Sequence, residues 1–173
     1  LFDTNQLLQR AKSEEEILSQ TASQLMKLLN RSLIVYPEQN GGLGSEQLFS
    51  VDGEVPCNIF SAPEERDAAN WTFANKKRSG AGTDSYPDAK GLYLALRTGS
   101  GVFGVIGIDL SEKPLDAFEN SVLLSILGEG ALAIENRRNA LEKEQATVQA
   151  KNEELRANLL RTISHDLRTP LTS

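Results

Sequence analysis

The sequence predicts an α+β domain: an antiparallel sheet flanked by helices, continued by one long C-terminal helix. Three observations predict it. Ser13 and Glu16 stand where they would cap a leucine-striped helix, and the runs Gly91–Thr98 and Val102–Leu110 adjoin across Gly99-Ser100-Gly101. Beyond Pro114 there is no proline until Pro170, and Gly128 and Gly130 are the only glycines. The chain of 173 residues is long enough for one ordinary domain and an appendage. Its 39% apolar and 24% charged residues are a globular composition. A net charge of −6 leaves no broad basic face for a nucleic-acid backbone. A single cysteine, Cys57, excludes an internal disulfide and a cysteine-based zinc site. No apolar run is expected to approach a membrane span, and the opening Leu-Phe-Asp-Thr-Asn is not a signal peptide. The abrupt ends suggest a piece of a longer chain.

The elements follow in order. Asp3 is read as capping a short helical segment around Leu7 and Leu8. In the next helix Ser13 and Glu16 form a capping-box pattern, and Leu18, Ala22, Leu25 and Leu29 make one apolar stripe. Leu33–Tyr36 has strand composition, with Pro37 expected to end it before a loop around Gly41, Gly42 and Gly44. A short strand is expected near Gln47–Val51, then a turn at Asp52-Gly53. Residues 63–78 have helical composition opened by Pro63, with Trp71 packed on the sheet. Gly80–Pro87 is a loop. In the strand Gly91–Thr98 the alternation of Leu92, Leu94 and Leu96 predicts one buried face; the almost wholly apolar Val102–Leu110 predicts a central strand covered on both sides.

Pro114 is read as opening the last helix. At about 1.5 Å per residue it would be roughly 80 Å long, too long for a small domain to cover. Leu127, Ile134, Leu141, Val148 and Leu155 recur every seventh residue, the mark of a coiled-coil seam. Its companion positions, Leu124, Ala131, Arg138, Gln145, Asn152 and Leu159, are half polar, which predicts a deliberately weak dimeric connector. After Leu159 the apolar stripe shifts to Leu160, Ile163, Leu167 and Leu171.

Several motifs have simple structural explanations. Gly99–Gly104 matches G-x-G-x-x-G, but a strand rather than a helix follows, so it is a hairpin turn. Asn30-Arg31-Ser32 and Asn70-Trp71-Thr72 match glycosylation sequons by accident. Cys57 has no histidine or basic cluster beside it and is read as a structural thiol. The charge run Glu142-Lys143-Glu144 is the solvated side of the long helix.

The one histidine, His165, has richer surroundings. Arg161, Arg168 and Thr169 lie at helical offsets that share its face, largely away from Leu160, Ile163 and Leu167. A solvent-facing imidazole is a competent nucleophile near neutral pH, and guanidiniums attract phosphoryl oxygens. Pro170 should then kink the helix.

The run Ser164-His165-Asp166-Leu167-Arg168-Thr169-Pro170-Leu171 resembles the phosphoacceptor box of sensor histidine kinases. Upstream, Trp71-Thr72-Phe73, the loop Gly80–Asp84 with Pro87, and Leu92–Leu96 resemble the cytoplasmic GAF domain of the potassium-responsive bacterial kinases. The resemblance implies a GAF (PAS-like) α+β fold over residues 1–127, a coiled-coil connector over 128–158, and the start of a HisKA dimerisation and phosphoacceptor helix over 159–173. It implies that His165 accepts the γ-phosphoryl group of ATP and passes it to a response-regulator aspartate. Asp166 would orient the imidazole or take its proton, Thr169 would serve the phosphatase step, and Arg161 and Arg168 would contact the phosphoryl group. The parent kinase would use ATP and Mg2+ on its own ATP-binding domain; no cofactor is expected within these residues, which should be inactive alone. The implied setting is a homodimer on the cytoplasmic side of an inner or plasma membrane protein, in potassium or osmotic regulation. Thr83, Asp84 and Trp71 are the candidates for a small-molecule site in the GAF domain; the competing reading, slightly favoured, is that the loop only packs on Trp71 and Tyr86. A second reading is a ligand-binding or dimerisation module in which His165 is vestigial.

Overall fold

The computed structural model describes residues 13–53 and 58–172, with side chains as far as residue 167. The segment around Asp3, Leu7 and Leu8, Cys57, and the side chains of Arg168, Thr169 and Pro170 lie outside the described residues. The chain divides into two units, residues 1–135 and 136–173.

Helix α1 spans Glu14–Leu29 and starts as its sequence dictates: the Ser13 hydroxyl accepts the Glu16 N–H at 3.1 Å. Glu14, Glu15 and Glu16 occupy the positive end of the helix dipole. The stripe Leu18, Ala22, Leu25 and Leu29 is buried, with Ile17 and Thr21 beside it. Asn30 ends the helix in a left-handed conformation.

Strand β1 runs Leu33–Gln39, straight through Pro37. The expected stop fails because of where the proline's missing N–H points. β1 pairs with β6 (Gly101–Asp109) on one side. On the other it pairs with β3 (Gln47–Phe49) up to Val35, and with β2 (Gly42–Leu43) only from Glu38. The Pro37 carbonyl accepts the Gly44 N–H on that second side, so the proline nitrogen faces the break between two partners and no ladder bond is lost. Asn40 and Gly41, both at positive φ, form the tight turn into β2 that the loop expectation overlooked.

Helix α2, Pro63–Asn75, ends three residues short of the expected Arg78; Lys76 turns the chain out at φ 59 towards β4, Ser79–Gly80. A 3-10 turn, Asn58–Ser61, precedes the helix. β5, Gly91–Thr98, and β6 form the expected hairpin across Gly99-Ser100, and the sheet order is β2-β1-β6-β5-β4 with β3 also on β1.

Two clusters of buried side chains cover the two faces. On one, Leu92, Leu94, Leu96, Ile106 and Ile108 meet α1 and the first turns of helix α3, which spans Ala117–Thr172. On the other, Ile34, Tyr36, Tyr93 and Val105 meet Ala68 and Ala69 of α2. Gly107 permits that second layer: a Cβ there would stand 2.4 Å from Tyr93 and 2.7 Å from Ile34. Trp71 is not among the buried residues of α2, which are Glu65, Ala68, Ala69 and Thr72; it is half-buried at their flank.

Pro114 lies ahead of the last helix rather than in it. Asp116 caps α3, its Oδ1 accepting the Glu119 N–H at 2.7 Å, while the Asp116 N–H reaches back to Glu119 at 3.3 Å. The expected domain boundary at residue 127 falls inside the first unit, because Leu127, Ala131 and Ile134 are buried in its core. These seam positions are therefore filled within the domain, and beyond them the seven-residue series is exposed from Leu141 onward. Contrary to the composition reading, α3 holds an 18-residue stretch of mean hydropathy 1.3, apolar enough to cross a membrane. Core residues explain such a stretch, since Leu123, Ile126, Leu127, Ala131 and Ile134 all pack inside the domain.

Candidate phosphoacceptor site

In the second unit every described side chain from residue 139 to 167 is exposed. Leu141, Val148, Leu155 and Leu159 keep 42–65% of their surface in solvent, as do Leu160, Ile163 and Leu167. Helical geometry turns each residue by about 100°, so His165 stands roughly opposite both Ile163 and Leu167. Its side chain is 82% exposed and that of Asp166 is 77% exposed. His165 Nδ1 and Asp166 Oδ1 are 3.9 Å apart, an electrostatic approach outside hydrogen-bonding distance. The predicted reach of a neighbouring carboxylate around the helix is thus only partly made. Arg161 Nη2 donates to Asn158 Oδ1 at 2.9 Å, one turn earlier. Arg168 and Thr169 belong to α3, but their side chains lie outside the described residues.

The candidates for a small-molecule site sit in the first unit. The Thr83 hydroxyl is 2.7 Å from the Gly80 carbonyl and 2.8 Å from that of Ser85, inside its own loop. Asp84 is exposed and Trp71 half-buried.

Two polar centres escaped sequence reasoning. The Glu65 carboxylate, buried under α2, accepts the N–H groups of Lys90 (3.0 Å) and Gly91 (2.9 Å) and the Tyr93 hydroxyl (2.8 Å). Burial pushes the Tyr93 phenol well up, and the Glu65 charge adds to this, so Tyr93 remains a donor. On the same face of the sheet the Tyr36 phenol is pushed up to about 12, chiefly by burial.

The second centre is Arg31. Its Nε meets Glu119 Oε2 at 3.0 Å and its Nη2 meets Oε1 at 3.3 Å. Nη1 donates to the carbonyls of Asp109 (3.0 Å) and Lys113 (2.7 Å), and Nη2 to that of Pro114 (3.0 Å). One guanidinium thus ties the end of α1 to the start of α3. Its hydrogen bond holds the Glu119 carboxyl below the usual carboxylate range, with the Asp116 N–H assisting.

The arrangement of sheet and helices decides the fold. Superposed on the GAF domain of the potassium sensor histidine kinase KdpD from Escherichia coli, the chain gives a TM-score of 0.60 at 20% identity, covering 85% of this chain and 96% of that one. The fold is that of a GAF domain. Sequence adds a more specific kinship. The sensor protein KdpD of Clostridium acetobutylicum is 34% identical over 172 residues, covering 99% of this chain. That of Escherichia coli is 29% identical over 176 residues. Along its whole length this is a KdpD-like sequence. It spans about a fifth, 19%, of those relatives' own length. No family model matches the chain. The KdpD-like match takes in both the GAF unit and the helix that carries His165.

Proposed function

We propose that the chain is the regulatory and phosphoacceptor segment of a sensor histidine kinase, its GAF unit controlling phosphorylation at His165. The observation that carries the reading is the exposed imidazole of His165 on a helix whose first turns, Leu123 to Ile134, are built into the GAF core. In the proposed reaction one imidazole nitrogen attacks the γ-phosphorus of ATP, the bond to the bridging oxygen breaks, and ADP leaves. ATP and Mg2+ are supplied by the parent's ATP-binding domain. Arg161 and Arg168 meet the phosphoryl oxygens, and Asp166 orients the ring or takes its proton. The group then passes to an aspartate of a response regulator, and Thr169 assists the later hydrolysis there. Potassium or osmotic regulation on the cytoplasmic side of a membrane protein is the setting that the KdpD-like sequence supports.

The chemistry of the label tests this. Full-length kinase given ATP labelled at the γ-position should hold label that survives alkali and is lost in mild acid, as a phosphorus–nitrogen bond requires. Label stable to acid would point to a hydroxyl ester and contradict the assignment.

The exposed seam Leu141, Val148, Leu155 and Leu159 supports a parallel homodimer. Sedimentation equilibrium should find dimers that dissociate in a Val148→Glu, Leu155→Glu variant; an unchanged dimer would place the contact elsewhere.

A further inference from the structure

The short strand β4 pairs only with Leu92 and Tyr93, whereas β5 runs on to Thr98. Beside this open edge lies a cavity of about 260 Å³, bounded by the turn after α2, by β5 and by α3. Lys76, Lys77, Arg78 and Arg97 line it together with Leu124 and Leu127, and no carboxylate is among the lining residues. Four cations round one cavity are out of keeping with a chain of net charge −6. The left-handed turn at Lys76 ends α2 and brings Lys76 and Lys77 to the rim. Arg78 is held in place by donating to Asn120 Oδ1 at 2.8 Å.

We infer that this cavity binds a phosphate ester, its dianionic head among the four cations and a small apolar body on Leu124 and Leu127. Like charges gathered at one opening repel, and a dianion relieves that repulsion. The two guanidiniums match the geometry of phosphate oxygens. Charged side chains also protect open sheet edges from pairing. That role needs neither a cavity behind the charges nor an apolar floor supplied by a helix.

The 173-residue chain, titrated separately with phenyl phosphate and inorganic phosphate, should show saturable NMR shifts at the amides of Ala95 and Gly128. The aromatic ester should bind about 10-fold more tightly, because its ring covers the apolar floor. Lys77→Glu with Arg97→Glu, both at exposed positions, should weaken either ligand at least about 10-fold. Gly128→Leu provides a second variant: an added Cβ there meets nothing within 4 Å, so an apolar side chain can be placed in the cavity lining while all four cations are kept. It should abolish the preference for phenyl phosphate. Flotation with vesicles containing phosphatidic acid, a lipid phosphomonoester, separates two sources of the ester. Co-flotation reversed by phenyl phosphate assigns a lipid headgroup, and binding of the soluble ester without flotation assigns a free one. Absence of saturable shifts, undiminished binding in the charge-reversed variant, or a preference that survives Gly128→Leu would overturn the inference.

Discussion

Arg31→Ala should lose about 3–5 kcal/mol of folding stability, a large share of what a domain of this size possesses. The substitution strands the Glu119 carboxylate and three carbonyls, those of Asp109, Lys113 and Pro114, in a site where Arg31 is only 7% exposed. Arg31→Lys should recover little, since an ammonium cannot reproduce a fork that spans both sides of the connection. Replacing both charged partners, as in Arg31→Met with Glu119→Leu, should be milder than Arg31→Ala alone, because no buried charge is left unpaired. Trp71, the one tryptophan, reports the unfolding of this unit. A loss below about 1 kcal/mol would show that the centre is not a structural tie.

The same pair predicts a pH dependence. Glu119 titrates lower in the folded protein than in the unfolded chain, so its stabilising contribution is fully present above the ordinary carboxylate range. It is lost as pH falls from about 4.3 through the lowered folded value. Urea midpoints measured down this window should fall in the parent protein, and the Glu119 part of the fall should vanish in Arg31→Ala.

His165→Gln should abolish labelling of the full-length kinase from ATP. Glutamine keeps similar length and polarity but presents an amide, which is no nucleophile near neutral pH. His165 projects into solvent and takes no part in the buried core clusters, so stability should change by less than about 0.5 kcal/mol. The combination is diagnostic: activity vanishes while the unfolding curve stays in place. Equal labelling of both proteins would make His165 vestigial and leave the binding-module reading.

How far the letters alone led depended on the range of the interactions. The Ser13 cap, the Leu18–Leu29 stripe and the β5–β6 hairpin are local, and each was legible. Arg31 was not, because its partners lie 78 to 88 residues away and nothing beside Asn30-Arg31-Ser32 signals them. Glu65 looks like any solvated helical glutamate until the fold brings Lys90, Gly91 and Tyr93 over it. The Asn40-Gly41 turn did carry a recognisable signal, hidden by the expectation that Pro37 ends the strand. Seven-residue spacing showed that Leu127 and Ile134 face a packed surface but not which one. A partner helix and the protein's own sheet ask for the same residues at the same intervals. The run Ser164–Leu171 stood out in the letters as a contiguous match, whereas the bond from Arg161 to Asn158 did not.

The most direct measurement is phosphoryl transfer in trans. The 173-residue chain, mixed with ATP, Mg2+ and a separately prepared ATP-binding domain of a KdpD-like kinase, should gain the mass of one phosphoryl group. Fragmentation should place that group on His165. A chain that gains none while the same catalytic domain phosphorylates its own full-length partner, or that gains it on another residue, would contradict the account.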